Sequence, residues 1–196
     1  MIPKILVFAG SNRAGAYSGK TADIAQRELA LQGAEVTRIS LADYPLPLMD
    51  EDLERDKGVP ENAVKLARLF STHDGILIAT PEYNGSMPAL VKNTIDWISR
   101  VSGDGSHPLR PLNGKVVAIC SSSDGHFAGI RSAAHLRAVL AHIQMEVISP
   151  QCSVPHGADA FDRDGNFREE RLRKSMARVC ASLIEHARML STRIEL

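Results

Sequence analysis

The alternation of short apolar runs with stretches of helical period constrains this chain more than anything else in it. Runs at Lys4–Ala9, Val36–Leu41, Ile76–Ala79, Lys115–Cys120 and Glu146–Ser149 read as strands. Between and after them lie segments whose apolar residues recur at helical spacing. One starts at Lys20 and stops at Gly33. The second opens at Pro60 with Ala63, Leu66, Ala67, Leu69 and Phe70 inward, and the third runs from Pro88 to Arg100. A fourth carries Ala133, Leu136, Leu140 and Ile143, and the last spans about Arg168 to Arg193. Strand and helix in strict turn build βαβ units, hence one parallel sheet with helices on both faces. Right-handed crossovers leave few topologies. The expected order is 2-1-3-4-5, which places a ligand crevice beyond strands 1, 3 and 4.

That order defines a flavodoxin-like three-layer sandwich around a five-stranded parallel sheet. Neither an internal repeat nor a low-complexity linker divides the chain, so residues 1–196 are expected to form a single domain. The 23 basic and 23 acidic side chains leave no excess charge to attract nucleic acid or an anionic membrane. Apolar runs stay well short of the roughly 18 residues that span a bilayer. The chain enters its first strand at once, without signal-peptide layout, which points to the cytoplasm. Cys120, Cys152 and Cys180 have neither disulfide-framework nor metal-site spacing and read as buried, reduced thiols. The acidic run Asp50-Glu51-Asp52 reads as solvated surface.

Loops rich in Gly and Ser follow the first, third and fourth strands. The first, Gly10–Gly19, leads into a helix start, where free N–H groups and the helix dipole favour an anion. Ser11 and Ser18 bring hydroxyl donors, and Arg13 brings a fork suited to phosphate. The pattern is neither GxGxxG nor GxxxxGK[ST], which disfavours dinucleotide and nucleoside-triphosphate sites. The second loop, Pro81-Glu82-Tyr83-Asn84-Gly85-Ser86, follows a strand that Pro81 should end, because proline has no N–H for the ladder. Tyr83 offers a flat face, and the Asn84 and Gly85 backbone offers donors in a tight turn. Glu82 is either a ligand-site carboxylate or part of an ion pair at a helix end or subunit interface. The third loop, Ser121–Gly129, holds three serines and Gly125. Each loop taken alone is also an ordinary connection. Three at one sheet edge describe a cradle for a ligand with a phosphate at one end and a planar ring at the other.

Gly10-Ser11-Asn12-Arg13, the block Pro81–Ser86, and Ser123-x-Gly125…Gly129-x-Arg131…Leu136-Arg137 together resemble the NADPH-dependent FMN reductase family, over about residues 4–150. The resemblance implies FMN as cofactor and NADPH or NADH as electron donor. It implies a quinone, azo, nitro, chromate or flavin acceptor, small and planar, reduced in a two-step cycle. Ser11, Arg13, Tyr17 and Ser18 would serve the phosphate. Pro81, Glu82, Tyr83, Asn84 and Gly85 would line the ring, and Ser123 would reach it from the third loop. No side-chain acid or base and no metal is implied. Two departures stand out. Many members carry Ser where this chain has Ala16 and Asn where it has Ser18, and Ala128-Gly129 stands where Gly-Gly is common.

Other chemistries fit less well. His126 and Asp124 sit too close together on one loop to build a relay across a pocket, and GxSxG is absent. His135 and His142 have no third ligand at matching spacing. An electron-carrier flavodoxin is the first rival reading, against which the neutral charge stands, and an FMN-binding sensor without turnover is the second. Members of the family also imply a homodimer or homotetramer, with Trp97 and its apolar neighbours expected at a subunit contact. Arg13, Arg100 and Arg110 are candidates for a 2′-phosphate partner.

Overall fold

The computed structural model describes residues 1–101 and 111–191. Its centre is a parallel sheet of β2 (Glu35–Ile39), β1 (Lys4–Ala9), β3 (Gly75–Pro81), β4 (Val116–Ser122) and β5 (Glu146–Val147), in that spatial order. The order is the 2-1-3-4-5 path that the alternation pattern predicts. β3 occupies the middle, and Ile76, Leu77 and Ile78 are all fully buried, as befits a strand covered on both faces.

Strand alternation sorts the apolar residues into two cores. On one face Ile5, Val7, Leu77, Ala79, Ala118 and Cys120 pack under α1 (Tyr17–Leu31) and α6 (Glu170–Ser191). On the other, Leu6, Phe8, Ile76, Ile78, Val117 and Ile119 pack under α3 (Glu61–Thr72), α4 (Ala89–Ser99) and α5 (Ile130–His142). Cys152 and Cys180 join Cys120 in the first core. Burial pushes the Cys152 thiol up to about 11 and raises the Cys120 and Cys180 thiols as well.

Four differences from the sequence expectation have physical causes. First, α1 begins at Tyr17, not Lys20. Ser18 and Gly19 are poor helix formers. Even so, Ser18, Ala22, Ala25 and Leu29 form one buried stripe against the sheet, and packing decides. Second, the acidic run opens a helix, α2 (Glu51–Lys57), which buries no residue. Asp50 caps it by accepting from the Asp52 and Leu53 N–H groups at 2.8 and 3.3 Å. Third, the fifth strand pairs as a ladder only at Glu146 and Val147. After Pro150 the chain returns to the same edge as β6 (Cys152–Val154), which pairs with Cys120–Ser122 of β4. Fourth, Trp97 is fully buried in its own chain, where its indole N–H donates to the Pro47 carbonyl at 2.8 Å. It therefore offers nothing to a second subunit. Residues 102–110 of the expected loop Ser102–Gly114, Arg110 among them, and residues 192–193 of the expected helix Arg168–Arg193 lie outside the described residues.

Candidate active site

The carboxyl ends of β1, β3 and β4 bound a half-open cleft of about 270 Å³. Ser11, Arg13, Tyr17, Ser18, Pro81, Glu82, Tyr83 and Ser123 all line it, brought together from three loops. Asn84 and Gly85 stand just outside that lining, in the turn after Tyr83. Ala16, Ser122 and Asp124 also line the cleft, beyond the residues singled out from the sequence. Gly10 lets the β1 loop lie close to its neighbours: a Cβ there would come within 2.6 Å of a Val91 methyl and 3.1 Å of the Pro81 ring.

At the start of α1 the cap residue is Ala16, which has no side-chain bond to give, and the first turn has no acidic residue. The first backbone N–H of the helix to find a carbonyl is that of Lys20, which donates to Ala16 at 3.1 Å. The N–H groups of Tyr17, Ser18 and Gly19 therefore face outward as donors. The Ser18 hydroxyl is buried and has no hydrogen-bond partner among the described residues. Arg13 forms no ion pair among the described residues; its guanidinium carbon lies 5.6 Å from the Tyr17 ring centroid. Tyr17 is held by stacking on Phe161, with centroids 6.5 Å apart, and by close approach to Gly157, where an added Cβ would lie 2.4 Å from the ring.

The second loop is a tight hairpin. Asn84 at φ 50 and Gly85 at φ 77 are both left-handed, the backbone that Asn-Gly adopts most readily. Tyr83 and Ser86 exchange backbone bonds of 3.0 and 3.1 Å, which leaves the Asn84 and Gly85 N–H groups free for a ligand. Tyr83 is half exposed, and its hydroxyl meets the Ser11 hydroxyl at 3.1 Å, bridging the first and second loops. Glu82 resolves in favour of the helix-end ion pair. Its carboxylate accepts from the Arg131 and Ser132 N–H groups at 3.1 and 3.4 Å and pairs with the Arg131 guanidinium. It thereby supplies α5 with the anion that its Gly129 cap lacks. What Glu82 can offer a ligand is its backbone.

β4 runs on through Ser122, so the third loop begins only at Ser123. The Ser123 hydroxyl accepts from the Gly125 N–H at 3.2 Å, and its carbonyl accepts from the Gly157 N–H at 3.1 Å. The Asp124 carboxylate takes the Ala158 N–H at 3.2 Å, which fastens this loop to the segment that holds Tyr17. Ala128, at φ 55, carries a left-handed backbone that disfavours a Cβ, so the departure from Gly-Gly acts on the backbone. Phe127, in the third loop, and Ile130, just after it, are exposed. Arg100 is paired with Glu54 at 2.9 Å, which raises its own pKa and removes it as a free phosphate partner. A larger groove of about 660 Å³ lies along α6 near Arg171 and Arg178, but neither unpartnered buried hydroxyl lines it.

These donors suit a phosphate monoester attached to a flat, hydrogen-bonding ring. An uncapped helix start, a guanidinium without an ion pair among the described residues and a buried hydroxyl likewise without a partner converge at one end, and two free N–H groups and a tyrosine face stand at the other. FMN has that form.

Comparison with known proteins agrees. Residues 3–159 match the model of the family described as NADPH-dependent FMN reductase. A quinone reductase of Escherichia coli is 37% identical over 147 residues, covering 74% of this chain and 73% of its own. An NAD(P)H-dependent FMN reductase of Pseudomonas aeruginosa is 32% identical over 173 residues, covering 87% and 88%. The solved structure of a flavoenzyme NAD(P)H:(acceptor) oxidoreductase from Paracoccus denitrificans superposes with a TM-score of 0.80 at 25% identity, covering 96% and 98%. The chain belongs to the NADPH-dependent FMN reductase family. Its class is that of the NAD(P)H-dependent FMN and quinone reductases, with FMN as cofactor.

Proposed function

We propose that the cleft seats the FMN phosphate at the first turn of α1 and the ring against the Pro81–Gly85 turn, and that the enzyme reduces small planar acceptors, quinones foremost. The observation that carries this reading is the open start of α1, where the orphaned Ser18 hydroxyl and Arg13, without an ion pair among the described residues, share one cleft with Tyr83, next to the turn that presents the Asn84 and Gly85 N–H groups. The relatives named quinone reductase and FMN reductase support the choice of acceptor. Bound FMN supplies the hydride-transfer chemistry. Ser11, Arg13 and Ser18 hold the phosphate by charge-assisted bonds, and Tyr17 sets the first turn that presents them. Asn84 and Gly85 donate to the polar edge of the ring, and the rigid hairpin fixes that edge in place. Ser123 closes the opposite wall. Glu82 acts from behind: by anchoring α5 it holds the hairpin against the third loop.

In this reading NAD(P)H and the acceptor use the same open side of the cleft in succession, beside Tyr83 and Phe127. No side chain need act as a general acid or base. We further propose a single domain over residues 1–196, cytoplasmic residence and a homodimer or homotetramer; the exposed Phe127 and Ile130, rather than Trp97, support the last. Among the described residues no helix is long and apolar enough to cross a membrane. The test is steady-state NADPH and NADH oxidation by purified protein with FMN and a quinone. Quinone-dependent turnover well above a free-FMN blank is expected. Turnover equal to the blank would leave a carrier or sensor as the better reading.

A further inference from the structure

Among the described residues two buried side-chain hydroxyls have no partner, those of Ser18 and Ser122, each 1% exposed. Both line the cleft. The other hydroxyls at this sheet edge are satisfied. Ser121 donates to the Ala128 carbonyl at 2.8 Å, Ser132 to the Pro81 carbonyl at 2.8 Å, and Thr80 to the same carbonyl at 2.9 Å. A buried donor left unmade opposes folding, so two of them in one small cleft point to an acceptor from outside the chain.

Strand alternation tells which end of the ligand Ser122 meets. Val116, Ala118 and Cys120 face the core that holds Ala22, Ala25 and Leu29 of α1, and Ser122 is the next residue on that face. Ser18 heads the α1 stripe packed on the same side. The two orphaned hydroxyls therefore close one corner from two directions, the first turn of the helix and the end of the strand. That corner belongs to the helix start and Arg13 rather than to the Asn84-Gly85 hairpin.

We propose that Ser122 is a phosphate-binding residue, whose hydroxyl donates to the cofactor phosphate together with Ser18 and makes up for the hydroxyl that Ala16 lacks. A phosphate monoester accepts only, through three oxygens, and so can take both protons. The inference rests on the reading of the cleft as the FMN site. It moves part of phosphate recognition from the first loop to the end of β4.

The test compares FMN with riboflavin, which lacks the phosphate, by fluorescence titration of apo wild type, Ser122→Ala and Ser18→Ala. Wild type binding FMN no tighter than riboflavin would overturn the cleft reading itself. With that preference established, Ser122→Ala is expected to weaken FMN about ten-fold and leave riboflavin within two-fold, the loss of one bond to a charged group. The apo unfolding midpoint of the same variant should hold or rise by about 2 °C, since an unsatisfied donor has gone. Equal weakening of both flavins would place the hydroxyl on the ribityl chain or ring, and no change in either would make it the host of an internal water only; each overturns the proposal. Ser122→Cys, nearly isosteric and a weak donor, reads the same ratio should the alanine variant not fold.

Discussion

Two helices begin at the carboxyl edge of the same sheet, and they are finished differently. The α5 start receives a carboxylate from within the chain: Glu82 accepts from the Arg131 and Ser132 N–H groups and pairs with the Arg131 side chain. The α1 start receives none; its cap is an alanine, its first turn carries no acid, and a serine hydroxyl beside it has no partner. Even the short, solvent-facing α2 has Asp50 as its cap. The starts of α3 and α4, each behind a proline, also lack a side-chain cap, but the α1 start is the one that opens into the cleft beside an orphaned buried hydroxyl, and there an anion from outside belongs. The contrast separates the part of the edge that holds structure from the part that holds ligand.

Giving α1 its own carboxylate should erase the contrast, and this is the largest effect expected. Ala16→Asp should stabilise the apo protein by about 1 kcal/mol as an N-cap. It should also weaken FMN at least 100-fold, about 2.7 kcal/mol or more, because like charges meet at the phosphate. Flavin titration and denaturant unfolding read the two signs separately. Next comes Gly157→Ala, whose new Cβ would meet the Tyr17 ring at 2.4–2.8 Å. A loss of about 1–3 kcal/mol in unfolding free energy is expected from that overpacking, with weaker FMN binding because the first turn shifts.

Glu82→Gln addresses the closed helix. Stability should fall by about 1–2 kcal/mol as the charge-assisted bonds to α5 weaken. The FMN-to-riboflavin preference should stay as it is, which a phosphate-binding role for Glu82 would not allow. Ala128→Gly should raise stability by about 1 kcal/mol by relieving the left-handed alanine, measured as a shift in the denaturation midpoint. The smallest effect is an absence. At pH 8 the native protein should leave a thiol reagent unreacted, and the denatured chain should titrate three cysteines. For Cys152 the folded pKa of about 11 lies above the unfolded value of about 8.5. The stability from keeping that thiol neutral is thus complete below pH 8.5 and declines as the pH rises from there to 11.

Much of the edge was legible in the residues alone. Strict alternation fixes the sheet order, and Asn84-Gly85 carries its turn geometry in its own composition. Local signals were enough to bring Ser11, Arg13 and Tyr83 to one cleft, because each sits in a loop at a strand end, and Ser18 joins them from the first turn of α1. What escaped depends on contacts distant in sequence. The partner of Glu82 is 49 residues away, and nothing near Glu82 announces it. Ser122 reads as one serine of three until β4 is seen to continue and α1 to face its end. β6 is three residues long and follows a proline, too short for a period to show. The helix α2 has no buried stripe, so periodicity could not find it. Its cap Asp50, acidic first turn, basic last turn and Gly58 were the signal that was there to use.

The central claim is that the open start of α1 exists for the phosphate of a flavin mononucleotide. Equilibrium titration of the wild-type apo protein with FMN and with riboflavin tests it most directly. The account predicts that FMN binds at least 100-fold tighter, the worth of roughly two bonds to a charged group. Equal affinity for the two flavins would contradict it.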